Sequence, residues 1–349
     1  MKSVHGRGAS DNPKNRFEEI EVLPDPEAPE DERPAPATRF YRDLSRSVIS
    51  TNDSPDIGFS ASVNPYRGCE HGCVYCYARP THEYLGMSAG LDFETRIMVK
   101  RDAPALLRKE LLAPSWKPQV VVMSGVTDCY QPAERRLCLT RGCLEVFAEF
   151  RNPVSIVTKN RLVARDADLL ADLARHRAAA VFLSVTTLDP ALARAMEPRA
   201  SAPAGRIAAI AELARVGIPV GVLIAPLIPG LTEHEIPAIL KAAAGAGARH
   251  AGRVMLRLPF GVKELFDQWL ERHAPGQRKK VLGRLRDIRG GRLNEPAFGA
   301  RMRGAGPLAD QIHQLFSATC RRLGLSEKGP DLSVDAFRRP GPEQLSLFG

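Results

Sequence analysis

Six short apolar runs recur along the chain, each without alternation of polar positions: TRIMVK (95–100), PQVVVMSG (118–125), PVSIVTK (153–159), AAVFLSV (179–185), PVGVLIAP (219–226) and GRVMLRL (252–258). Runs of this length, rich in β-branched residues, suit strands buried on both faces of a parallel sheet. Between them lie segments with apolar residues three and four apart, AERRLCLTRGCLEVFAEF (133–150), VARDADLLADLARH (163–176) and AGRIAAIAELARVG (204–217), which predict amphipathic helices. The last closes on Gly217, suited to the left-handed position after a helix, and Ile218-Pro219 then opens the next run. Repeated βα units imply right-handed crossovers and a parallel sheet. The strands are too few to close an eight-stranded barrel, so an open partial barrel or a doubly wound sheet is expected.

The ends of the chain read differently. Residues 1–38 are polar and proline-rich with no hydrophobic period, which predicts a disordered or extended leader over 1–54. The α/β core spans 55–290. A C-terminal extension, 291–349, begins Gly/Arg-rich, continues as one helix (PLADQIHQLFSATCRRLGL) and ends in a polar tail. No apolar run of membrane-spanning length and no secretory h-region occurs, so a cytoplasmic protein is expected, with its thiols reduced. Residues 1–40 carry six Lys/Arg against nine Asp/Glu, so the rest of the chain carries +12 of the net +9. A basic body suggests a polyanionic partner such as nucleic acid, and Arg286, Arg289, Arg292, Arg301 and Arg303 are candidate phosphate contacts. Arginine used as a routine surface cation is the alternative.

Three of the seven cysteines fall within RGCEHGCVYCYARP (67–80). Cys69, Cys73 and Cys76 are spaced C-x3-C-x2-C, and Gly68 and Gly72 relax the backbone around them. Close thiolates and glycines suit a loop wrapped around an iron–sulfur cluster, and three protein ligands leave one iron open. A zinc knuckle completed by His82, or less readily by His71, is the alternative. Cys138 and Cys143 fall on the helix predicted over 133–150, and Cys320 on the C-terminal one, as core residues. With no second C-x2-C pair, no auxiliary cluster is expected.

The loop resembles the C-x3-C-x-aromatic-C signature of the radical S-adenosylmethionine (SAM) superfamily, with Tyr75 as the aromatic. The resemblance extends over roughly 56–290, with the signature at the end of a first strand, GFSASVNPYRGC (58–69). It implies a partial (β/α)6 TIM-like barrel, one [4Fe-4S] cluster held by Cys69, Cys73 and Cys76, and SAM chelated at the open iron. Reductive cleavage of SAM to a 5′-deoxyadenosyl radical would follow, fed by an electron donor such as flavodoxin or ferredoxin. By position, Ser124, Gly125, Thr127 and Asp128 (SGVTD) would face the methionyl amine, and Ser184 and Arg199 its carboxylate or the ribose. Ile228 and Pro229 loosely match a segment that packs on adenine. For Ser184 and Arg199 a local capping role stands equally.

SVNPYRGCEHGCVYCYARP, SGVTDCYQPAE, IVTKN and EPRA together resemble the spore photoproduct lyase-like branch, which implies DNA as the substrate class. Cys129 stands where relatives commonly carry proline. It is a candidate hydrogen donor, or simply a small core residue. A radical SAM enzyme of peptides or metabolites, and a non-catalytic metal-cluster module that binds nucleic acid, are the rival readings. Finally, the terminal Gln344-Leu345-Ser346-Leu347-Phe348 resembles the peptide by which bacterial polymerases and repair proteins bind the replication sliding clamp. A tail folded back on its own domain is the alternative.

Overall fold

The computed structural model describes residues 4–18 and 36–341. The strands among them are β1 (Arg39–Arg42), β2 (Ile49–Thr51), β3 (Ala61–Val63), β4 (Tyr66–Arg67), β5 (Arg96–Val99), β6 (Val121–Met123), β7 (Val154–Thr158), β8 (Ala179–Ser184), β9 (Val220–Leu227) and β10 (His250–Met255). Seven form one sheet in the order β10-β9-β8-β7-β6-β3-β2. From β3 to β10 every pairing in it is parallel, and β2 runs antiparallel along the β3 edge. Six parallel strands with helical crossovers make the partial (β/α)6 barrel that the resemblance implied.

The apolar runs locate the barrel strands because helices cover the outer face of the sheet. On the outside, helix Ala167–Arg175 buries Leu170 and Leu173, and helix Pro203–Arg215 buries Ala209, Ile210 and Leu213. Each fully buried leucine or isoleucine contributes about 1.5–3 kcal/mol. Gly217 has φ +81° and closes the second helix as its sequence position suggests.

Two expectations need correction. The run TRIMVK is β5, which lies outside the barrel in a side sheet ordered β1-β5-β4. Only one of its faces is covered (Ile97 and Val99 are buried, Arg96 is exposed), and so short a run does not reveal that in advance. The first barrel strand is instead β3, buried throughout and lying within GFSASVNPYRGC (58–69), the stretch expected to lead into the signature. The helix expected over 133–150 is broken at Cys138, whose φ is +51°, into Glu134–Leu137 and Leu139–Phe150. The break lets the buried Glu134 carboxylate accept the Thr140 amide at 3.1 Å, capping the second helix, and the Tyr66 hydroxyl at 2.5 Å. Cys138 is consequently exposed, whereas Cys143 and Cys320 are buried core residues.

Within the leader, residues 36–54 join the sheets through β1 and β2, and residues 4–18 lie against the core on polar contacts. Residues 4–18 cross the cysteine loop so closely that a Cβ on Gly8 would lie 1.7 Å from the Gly72 carbonyl oxygen. The Gly8 and Ala9 amides donate to the Glu94 carboxylate at 3.0 and 2.8 Å. Glu94 in turn pairs with Arg79 at 2.5 Å, both side chains being 0% exposed. Removing one member of a buried pair leaves the other charge without compensation. Arg79→Ala should therefore lower the unfolding free energy by about 3–5 kcal/mol in urea titrations of the apoprotein. A loss below about 1 kcal/mol, the level of an exposed pair, would contradict this placement.

Candidate active site at the carboxyl ends of the strands

Ligands of open parallel sheets bind beyond the carboxyl ends of the strands, and the cysteine loop stands there, following β3 and β4. Gly68 and Gly72 adopt φ of +80° and +67°. A Cβ at Gly68 would meet the Phe93 carbonyl at 2.9 Å, and one at Gly72 the Glu94 carboxylate at 2.6 Å. Both positions require glycine on conformation and on space.

Cys69 and Cys73 are buried, Cys76 is partly exposed, and all three are free thiols. Burial is the main cause that pushes each thiol's pKa up, and for Cys69 the Asp128 charge adds to it. Thiols so placed stay protonated unless a cationic group neutralises them, which a bound metal centre does outright. Among the described residues no three His, Cys, Asp or Glu side chains converge on a point suited to a single ion.

Neither histidine joins the thiols in a site for a single ion among the described residues. His82 bonds the Arg96 carbonyl through Nε2 at 3.0 Å, leaves Nδ1 buried without a partner and packs edge-on against Phe93, and burial lowers its pKa to about 4. His71 lies 3.3 Å from Asp128 through Nδ1 and 3.3 Å from Asn160 Nδ2 through Nε2. The donor set thus fits a multi-iron core held by three thiolates and disfavours a four-ligand mononuclear zinc. Cys69, Cys73 and Cys76 would hold the [4Fe-4S] cluster, which when bound supplies the electron that cleaves SAM.

The loop is docked onto the strand ends by a buried charge network in which Lys159, Thr186 and Ala225, legible in the sequence as strand-end residues, meet Glu197 and Arg206. The Tyr75 hydroxyl donates to the Glu197 carboxylate and lies 3.3 Å from Thr186 Oγ1. Glu197 also pairs with Arg206 and, at 3.2 Å, with Lys159, and accepts Thr186 at 2.8 Å. Lys159 Nζ reaches the Ala225 carbonyl at 2.8 Å, so the ends of β7, β8 and β9 are cross-linked through one ammonium. Burial opposes ionisation of Glu197, but Arg206 and Lys159 outweigh it and hold the carboxyl far below its usual range. Tyr75 is thus anchored on a carboxylate that stays charged at neutral pH. EPRA and IVTKN contain Glu197 and Lys159, but only the fold brings them together.

The predicted SAM contacts divide. Asp128 lies beside Cys69, yet its oxygens already accept Thr158 Oγ1 at 2.7 Å, the Lys159 amide at 2.8 Å and the Tyr130 amide at 2.9 Å. Burial resists its charge, while His71 and these donors more than offset that, holding its pKa below the ordinary value. Thr127 donates to the Tyr66 carbonyl at 3.0 Å. Ser124, at φ +86°, accepts the Cys129 amide at 3.0 Å, and Gly125 offers its carbonyl to the Tyr77 hydroxyl at 2.6 Å. The segment is a braced turn whose side chains are largely occupied within it.

Ser184 is buried, with its carbonyl on Arg206 at 2.9 Å and its hydroxyl bonded to no described residue. Arg199 faces the leader, paired with Glu70 at 3.0 Å and bonded to Thr38 at 3.2 Å. Ile228 and Pro229 are both buried. Cys129 is 0% exposed with its carbonyl held by Thr140 at 2.6 Å, the setting of a small core residue.

The three loop cysteines are distinguished from the others by this placement. Cys69→Ala, Cys73→Ala or Cys76→Ala should each prevent reconstitution of about four irons and four sulfides per chain. Cys138→Ala should load normally. Full iron and sulfide in a Cys73 variant would refute the ligand set.

Comparison with known proteins agrees with this site. A family model described as the radical SAM superfamily matches residues 63–243. An uncharacterised protein of Mycobacterium tuberculosis is 35% identical over 268 residues, 76% of this chain and 78% of its own. A protein of Pseudomonas phage M6 named radical SAM Nalpha-GlyT isomerase is 22% identical over 316 residues, 89% of this chain and 61% of its own. Among solved structures, spore photoproduct lyase complexed with dinucleoside spore photoproduct is similar with a TM-score of 0.58 at 16% identity, over 82% of this chain and 81% of that one. At that identity the likeness is one of fold. Family match, three-thiol loop and partial barrel together make this chain a member of the radical SAM superfamily, an enzyme whose cofactors are one [4Fe-4S] cluster and SAM.

Proposed function

We propose that the enzyme acts on nucleic acid, specifically DNA, as a repair or modification enzyme of the cytoplasm. The observation that carries this reading is the charge of the barrel and its C-terminal extension, +12 beyond residue 40, on a fold shared with a protein solved with a dinucleoside photoproduct. The absence of a membrane-crossing helix among the described residues is compatible with it. Flavodoxin or ferredoxin would supply the electron.

The Gly/Arg-rich stretch contributes to the surface unevenly. Arg289 is buried, with both terminal nitrogens on carbonyls, and so serves the fold, and Arg301 is paired with Asp56. Arg286, Arg292 and Arg303 are exposed and remain candidate phosphate contacts.

The reaction is tested by anaerobic turnover of reduced holoenzyme with SAM and perdeuterated DNA, RNA or protein pools. Deuterium should enter 5′-deoxyadenosine from the DNA pool, and binding to that DNA should weaken log-linearly with salt. Deuterium arriving only from protein, or a flat salt dependence, would overturn the nucleic-acid reading.

Gln344, Leu345, Leu347 and Phe348 lie outside the described residues. We propose, on the residue pattern alone, that they dock on the sliding clamp and so raise the enzyme's local concentration at DNA. A peptide of residues 340–349 should bind purified clamp at micromolar strength, and Leu347→Ala with Phe348→Ala should abolish it. Equal clamp binding by full-length and tail-less protein would exclude this role.

A further inference from the structure

Beside the cysteine loop, at the carboxyl end of β10, three guanidinium groups meet: Arg257, Arg289 and Arg301. Arg289 donates to the Ala300 and Leu256 carbonyls at 2.7 and 2.9 Å. Arg301 is bonded to Asp56 and, at 2.6 Å, to Ser54. Arg257 alone has no oxygen acceptor. Its Nε is buried without a partner, and its one hydrogen bond is a weak contact from Nη1 to Met302 Sδ at 3.7 Å. The acids acting on the trio are Asp56, already claimed by Arg301 and the Gly299 amide, and Glu295 beside Arg289. Burial first, and the neighbouring Arg301 second, oppose the charge on Arg257. Arg257 is half-buried, and its Nε, shut off from water with no acceptor, is costly; a bound anion removes that cost.

Its surroundings indicate which anion. The Arg257 guanidinium lies 5.2 Å from the centre of the Tyr77 ring, the residue after Cys76, and Arg301 lies 4.4 Å from that of Phe298. Both rings are exposed, 48% and 59%. Exposed rings interleaved with guanidinium groups are what unpaired nucleotides stack on while their phosphates are neutralised.

We infer that Arg257 is a substrate-phosphate site, holding a phosphodiester of an unpaired strand at the edge of the cluster loop. This deepens the nucleic-acid reading above and rests on it. A carboxylate of SAM could meet a guanidinium by the same chemistry, so the test must separate the two.

The test uses full-length protein with its cluster. Binding of a fluorescein-labelled 12-nucleotide single strand is followed by anisotropy across a salt series, and SAM binding by calorimetry. Arg257→Ala should weaken oligonucleotide binding about tenfold, by the loss of a charge-assisted contact. It should also make the log–log salt slope shallower by about 0.7, with SAM affinity unchanged. Should Arg257→Ala fail to load its cluster, the comparison passes to Arg257→Lys and Arg257→Gln: the lysine keeps the slope and the glutamine loses it. Unchanged oligonucleotide affinity and slope in the alanine or glutamine variant would overturn the inference alone. So would a loss of SAM affinity with DNA binding intact, which would give Arg257 to the SAM carboxylate. If the wild-type protein does not bind the strand at all, the nucleic-acid reading fails and this site falls with it.

Discussion

The Arg79 guanidinium, 0% exposed, has five N–H donors, and the structure gives it five contacts. Nε takes the Cys73 carbonyl, Nη1 those of Ala89 and Gly90, and Nη2 that of Gly72 and the Glu94 carboxylate. A loop that must turn its thiols toward a cofactor turns its carbonyls the other way, into a dry interior. There each would cost free energy without a donor. Arg79 satisfies the carbonyls, and Glu94 balances the charge that this introduces. The glycines at positive φ are the backbone side of the same constraint.

Around this pair the rest of the site is arranged in two layers. On one side Glu94 holds the Gly8 and Ala9 amides, so the leader is packed against the loop's outer face. On the other, Tyr75 reaches Glu197, and Glu197 gathers Lys159, Thr186 and Arg206 from the strand ends and the helices beyond. Both layers end in a buried carboxylate matched by guanidinium or ammonium. The chain thus fixes a buried loop with polar contacts on both sides, alongside the apolar packing of Val74 in the core.

What the sequence revealed and what it did not follow from the range of each interaction. The cysteine spacing, its glycines and Tyr75 lie within ten residues, so their meaning is local. The barrel strands were legible because burial beneath the outer helices leaves apolar runs. TRIMVK failed for the same reason, since a short apolar run looks alike in a barrel and in a side sheet. The kink at Cys138 was hidden because its cause, the Glu134 carboxylate turned onto the Thr140 amide, is a tertiary choice. Arg199 and Asp128 have protein partners, Glu70 and the Lys159 amide among them, that only the fold could supply. Arg257 passed as one charge in a strand until the structure showed it without an acceptor.

The central claim is that Cys69, Cys73 and Cys76 hold a [4Fe-4S] cluster with one iron left for SAM. It is tested most directly by electron paramagnetic resonance of the reduced holoenzyme, with SAM carrying 17O in its carboxylate or 15N in its amine. SAM should alter the cluster signal, and hyperfine coupling to both labels should appear. A signal unchanged by SAM, with coupling to neither label, would contradict it.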